Sequence, residues 1–219
     1  MERIKKGLII FESVMLLMIS VHALAMVPQE VYTAAETGLP FFLSHIPSGE
    51  EKGYGFNNRE EFGRAELGVP YEMHTIYPDR LSKGETAGPG LIVSAREWRF
   101  RVKCDGQARA LLTVAEREGK WQAVDIGAAG LAAEIDKLEK ALSLTEDTRR
   151  VILRLYQIKA DLVVISEESG RIEEGRFYPL PSFRSSLQAT SMAMGSEDTL
   201  FSFERLLPIL QERFRHESF

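Results

Sequence analysis

The chain carries one cysteine, Cys104, and four histidines, His22, His45, His74 and His216. A thiolate attacks only with a base or a positive partner beside it, so a Cys-His pair would draw on His45, His74 or His216. His74, on an expected strand, is the partner considered for Cys104. Against that pair, Cys104 follows Trp98, Phe100 and Val102 at every second position. This alternation puts the thiol on an apolar face, where burial raises its pKa and lowers its reactivity. No serine lies in a Gly-x-Ser-x-Gly turn, no Gly-x-x-x-x-Gly-Lys loop cradles a phosphate, and no His-Glu-x-x-His helix offers a zinc site. Glu167, Glu168, Glu173 and Glu174 have hard oxygens for calcium, but their spacing fits no EF-hand loop. No metal and no cofactor is expected.

The basic residues are the odd feature. Arg99, Arg101 and Lys103 alternate with the apolar set that ends at Cys104, and Asp105-Gly106 then turns the chain. Ala108, Ala110, Leu112 and Val114 alternate again, Glu118-Gly119 makes a second turn, and Val124 and Ile126 close a third strand. The register that buries one face sets Trp98 against Val114, Phe100 against Leu112, Val102 against Ala110 and Cys104 against Ala108. It also sets Val114 against Val124 and Leu112 against Ile126. A plain two-residue turn gives a register one residue away, and such a slip turns every side chain over. Three-residue connections, or two-residue turns beside a bulge, are therefore predicted. Arg99, Arg101, Lys103 and Arg109 then share the outer face, with Lys103 opposite Arg109. Like charges across a strand pair repel, so an anion or the protein's own acids must face them. These four residues form the expected anion-binding set, for a glycan, a lipid head group or an acidic partner.

Other patterns supply the elements that must hold this ribbon. Val31, Ala35, Leu39, Phe42 and Ile46 form a helical stripe, and Gly38 and Pro40 predict a bend dividing it into two short helices. A loop follows from 47 to 61, and a strand is expected over 72–76. Leu131, Ile135, Leu138 and Leu142 mark an amphipathic helix over 128–142, with Asp136 and Lys140 paired on its wet side. Strands are expected at 151–155, 162–165 and 176–180, and a short helix over 181–189. A last helix is expected over 196–216, capped by Ser196, with Leu200, Phe203, Leu207, Leu210 and Phe214 as its apolar face. Trp98 and Trp121 are read as core or sheet-edge packing. The fold class is α+β: an antiparallel β-meander sheet packed by amphipathic helices, after an N-terminal signal segment. It is open whether the later strands join the first sheet or build a second.

The start of the chain reads as an address. Arg3, Lys5 and Lys6 precede an apolar run from Gly7 to Val21, and Ala23 and Ala25 give a small-x-small pair. Residues 1–25 are read as a secretory signal peptide cut after Ala25. Retained, residues 7–26 would anchor the chain in a membrane, which is the only membrane contact foreseen. Glu12 weakens the run, a carboxylate at membrane depth costing about 2–3 kcal/mol. No cysteine follows the run to carry a lipid. Residues 26–219 are read as one α+β globular domain, with a subregion boundary near 143–148.

Composition sets the outer bounds. The 219 residues are 44% hydrophobic and 27% charged, near the globular average, which excludes a disordered tail or a collagen-like chain. The net charge of −5 argues against a nucleic-acid partner, whose usual footprint is a basic excess. The reading these features favour is a secreted or periplasmic, non-catalytic binding domain of the bacterial envelope or extracellular space. Its partner would be an anionic envelope component or an acidic protein. Two alternatives remain: a secreted hydrolase using His74 or scattered carboxylates, and a structural or inhibitory module for another secreted protein.

Overall fold

The structure is a computed structural model that describes residues 27–82, 90–145, 148–166, 171–188 and 200–216. The expected signal segment and the Ser196 cap lie outside them. The described elements run α1 (Gln29–His45), β1 (Glu66–Ile76), α2 (Pro78–Ser82), β2 (Ile92–Cys104), β3 (Gln107–Arg117), β4 (Lys120–Gly127) and α3 (Ala129–Leu142). Then come β5 (Arg150–Leu155), β6 (Ala160–Ile165), β7 (Arg176–Pro179), α4 (Pro181–Gln188) and α5 (Phe203–His216). Short 3-10 turns span Glu51–Tyr54, Arg59–Arg64 and Ile172–Glu174.

The strands make a seven-stranded mixed sheet, mostly antiparallel, in the order β4-β3-β2-β1-β5-β6-β7. The later strands thus join the meander in one sheet, through a parallel β1–β5 pair that sets Met73 beside Ile152 and His74 beside Leu153. This pairing crosses the segment near 143–148.

The first turn takes the second of the two predicted solutions, whereas the second turn has its bulge farther along the strands. Trp98 pairs with Val114, Phe100 with Leu112 and Val102 with Ala110, while Leu112 pairs with Ile126. Asp105 and Gly106 have φ of 50° and 74°, and Glu118 and Gly119 have φ of 52° and 76°. Both are two-residue turns of the twist-matching kind. A register shift beside the first turn, at Val102/Lys103, and one four residue pairs away from the second, at Thr113/Val114, restore the apolar face. Two expected pairs change as a result. Cys104 pairs with Gln107, and Val114 with Ala123, because each bulge absorbs one residue of alternation.

Both sheet faces are covered. One carries two apolar blocks: Val31, Ala35, Leu39 and Leu43 of α1 over Phe100, Leu112, Val114 and Ile126, and residues of α5 over Val151, Leu153, Leu162 and Val164. On the opposite face α3 sets Ala132 and Ile135 with Tyr71, Met73, Leu111, Ile152 and Val163.

Two expectations on the helices and one on a strand are corrected. The stripe in residues 28–46 is one helix, not two. Pro40 sits inside it and removes one backbone hydrogen bond, but the buried stripe on both sides of it keeps the helix seated. The last helix starts at Phe203, because Phe201 is drawn into an antiparallel bridge with Phe177. Ser202, whose Oγ accepts from the Arg205 N–H at 3.4 Å, stands at its start. The strand expected over 72–76 begins earlier, at Glu66.

Gly38 is where α1 touches the sheet most closely: a Cβ there would lie 2.1 Å from the Ala123 Cβ. Gly38→Ala should lower the urea midpoint despite its better helix propensity, with a net cost of about 1–3 kcal/mol from forcing the helix off β4. Ala123→Gly in the same chain should restore most of the loss.

Candidate functional site

The outer face of the meander is not open, because α3 lies across it. Ile135 anchors that helix, and Glu139, one turn further on, follows it under the surface. Its carboxylate accepts from the Tyr71 hydroxyl and from the guanidinium groups of Arg101 and Arg150. Arg101 also stands 3.4 Å from Asp136 Oδ1, and Lys140 holds the other Asp136 oxygen at 2.6 Å. Arg150 donates further to the carbonyls of Thr145 and Thr148, the latter at 3.0 Å. Tyr71, Arg101, Glu139 and Arg150 are all buried. Burial, with the facing Glu139 charge next, holds the Tyr71 phenol far above its ordinary range, so it stays a donor.

The expected solvent exposure of Arg101 and Arg109 is therefore corrected. Arg101 is only 5% exposed, having an internal carboxylate. Arg109 falls in the bulge at Val102/Lys103, outside the alternation that would have set it opposite Lys103, and pairs with Glu61 at 2.6 Å. Arg99 meets Glu97 at 3.2 Å. Lys103 opposes Ala108 and Glu66, its stem lying against Gly68. The four basic residues thus go to separate surroundings and do not form one exposed cluster.

Around the first hairpin, Glu61, Cys104 and Asp105 bring three ligand atoms within 4.8 Å of one another, a set that could hold a metal ion. Both carboxylates are already engaged, Glu61 by Arg109 and Asp105 by Arg64 at 3.1 Å. Burial works to raise the Glu61 pKa, but the backbone N–H and side-chain amide of Asn57, with Arg109, pull it net below its ordinary value. Burial, then Asp105 and Glu61, push the Cys104 thiol up, and its Sγ donates to the Glu61 carbonyl at 3.6 Å. A metal would have to displace two guanidinium groups and ionise this thiol. The residues present fit a structural knot better.

His74 does not reach Cys104. It pairs with Ser94 at the other end of β2, ten residues from Cys104 and so about 30 Å away along a strand. Its neighbour is Glu72, with Oε2 3.0 Å from Nε2. The pair lies between the two apolar blocks of its sheet face. Burial acts to raise the Glu72 pKa, but His74, Ser94 and Arg149 together bring it below its ordinary value. Both His74 nitrogens are closed to solvent and neither makes a well-aligned hydrogen bond. His45 instead lies on the surface over the Phe41 ring, at 4.2 Å.

Sequence reasoning missed an apolar groove at the open edge of the sheet. It has a volume of about 750 Å³ between α1 and the start of β4, with Ala34, Gly38, Phe41, Phe42, Trp121 and Ala123 as its apolar lining. Phe41 is 56% exposed, its ring edge-on to Phe42 at 5.4 Å. The signal was present in the α1 stripe: Phe41 adds an apolar residue beside Phe42, off the buried line.

The chain matches no known family model, no curated protein and no solved structure. Among the described residues no helix is long and apolar enough to cross a membrane.

The Glu139 cluster gives a quantitative expectation. Glu139→Ala leaves the buried Arg150 without a carboxylate and Arg101 with Asp136 alone, and should cost about 3–5 kcal/mol in urea unfolding. Adding Arg101→Met and Arg150→Met should recover most of that. A single-mutant loss under about 1 kcal/mol, the level of an exposed pair, would show that the cluster carries no weight.

Proposed function

We propose that the protein is an exported, non-catalytic interaction domain, and that it holds an apolar polypeptide segment of a partner in the α1–β4 groove. The groove itself carries this reading. Its helix wall runs from Gln29 to Phe42, about 20 Å at the rise of an α-helix, which is the length of about six extended residues. Ala34, Phe41, Phe42, Trp121 and Ala123 give it an apolar floor within a polar rim that includes Glu30 and Lys120, and exposed Phe41 stands ready to be covered. Export rests on the basic start, apolar run and Ala23-x-Ala25 pair of the first 25 residues.

The hydrolase reading has one supporting observation, the Glu72–His74 contact with Ser94 beside it. It ranks second because the imidazole nitrogens that would move a proton are walled off from solvent. The inhibitory-module reading would use the same groove and differs only in what the partner loses on binding.

Two measurements test the proposal. With Trp98→Phe leaving Trp121 as the reporter, a soluble heptapeptide alternating Phe and Ser should change the emission saturably. A Gly-Ser peptide should not. Phe41→Asp should abolish the response with the circular dichroism spectrum unchanged; a response indifferent to Phe41→Asp would reject the groove. Separately, expression of the full chain in a Gram-negative bacterium should yield a periplasmic form whose N-terminal residue is Met26. A cytoplasmic product that retains Met1 would reject export.

A further inference from the structure

A second cleft lies at the far side of the molecule, between the C-terminal end of α3 and the β6–β7 pair. It has a volume of about 720 Å³, inside the range of small-molecule sites. Leu142, Leu144 and Ile165 form an apolar, half-buried wall. Arg171 and Arg176 line the same space. Gly175 closes the floor, pressed so near β6 that a Cβ there would meet Val164 at 2.8 Å and the Ile165 carbonyl at 2.9 Å.

The polar groups of this cleft are underused. Arg176 is exposed and has neither an ion pair nor a hydrogen bond among the described residues, in contrast to the engaged guanidinium groups of Arg101, Arg109 and Arg154. Arg171 reaches Glu173 and Glu174 only at 3.8 Å, beyond hydrogen-bond length. Ser166 lines the cleft with a hydroxyl that is shut from water and has no hydrogen-bond partner. A buried hydroxyl without a partner calls for one, and the Arg176 guanidinium faces solvent where a ligand can reach it. Glu174 also lines the cleft on the Arg171 side, which makes Arg176 the better seat for a negative charge.

We propose that this cleft binds an amphipathic organic anion, its carboxylate or phosphate head on Arg176 and its aliphatic body against Leu142, Leu144 and Ile165. A guanidinium presents a fork of donors that matches either head group. The ligand is a free fatty-acid-like anion or the same chemistry carried by an anionic lipid. This site is separate from the α1–β4 groove and does not rest on the function proposed for it.

The full chain is titrated with decanoate below its micelle concentration, with decanol, and with phosphatidylcholine vesicles with or without phosphatidylglycerol. Decanoate should bind saturably and decanol about tenfold more weakly, the discrimination expected of one charge-assisted contact. Arg176→Ala should reduce decanoate binding by about tenfold, the same contact being lost, and Arg176→Lys by less. Thermal unfolding should not change in either variant. Should Arg176→Ala misfold, Leu144→Asp, which blocks the apolar wall, takes its place with the same expected loss. Binding of decanoate alone assigns the site to a free anion. Binding only to phosphatidylglycerol vesicles, lost in Arg176→Ala, assigns it to a lipid head group. Equal affinity for decanoate and decanol, binding unchanged by Arg176→Ala, or no saturable binding to any probe would overturn the proposal.

Discussion

A single carboxylate ties the two halves of the molecule together. Glu139 hangs from α3 into the space above the sheet and meets Tyr71 from β1, Arg101 from β2 and Arg150 from β5. These strands are neighbours around the parallel β1–β5 junction, the point where the meander gives way to the second group of strands. Buried guanidinium groups without an acid are costly, so the position of α3 is fixed by charge as well as by Ala132 and Ile135. The same contact removes Arg101 from the surface.

The distribution of charge follows from that constraint. On the α3 face, arginines are spent on internal acids: Arg101 and Arg150 on Glu139, and Arg154 on Asp161 at 2.8 Å. Around the first hairpin, Arg109 and Arg64 neutralise Glu61 and Asp105 and leave Cys104 a buried, poorly ionised thiol. Once these pairs are made, surfaces with something still to offer lie at the two margins of the sheet. One is the aromatic groove beside β4; the other is the Arg176 cleft beside β7. Binding there leaves the central cluster untouched.

Much of the meander was legible in the residues. Strict alternation from Trp98 to Ile126, two X-Gly turns and the demand for one apolar face were enough to require a one-residue offset in each hairpin, by a longer connection or by a bulge, because a register slip would expose Phe100 and Leu112. Which of the two turn solutions applied, and where the bulge fell, was not legible. Displacing Arg109 depends on a carboxylate, Glu61, that comes from a distant segment. The α1 stripe was legible as well, but its continuity through Pro40 was not: local propensity predicts a break, and packing on the sheet prevails over it. Glu139 could have been found, since it lies one turn after Ile135 on a face otherwise apolar.

Composition, alternation and turn residues determined by themselves most of the secondary elements, though not all their bounds, the buried face of the meander, the inert setting of Cys104 and the export-like start. These properties depend on neighbours a few residues apart, so local sequence carries them. Only the tertiary structure decided that the outer face of the meander is roofed by α3, that Arg101 and Arg109 are neutralised, that Cys104 and His74 stand far apart, and that two clefts flank the sheet. Each of those depends on which distant segment packs against which face, and side chains brought together across dozens of residues leave no periodic trace in a sequence.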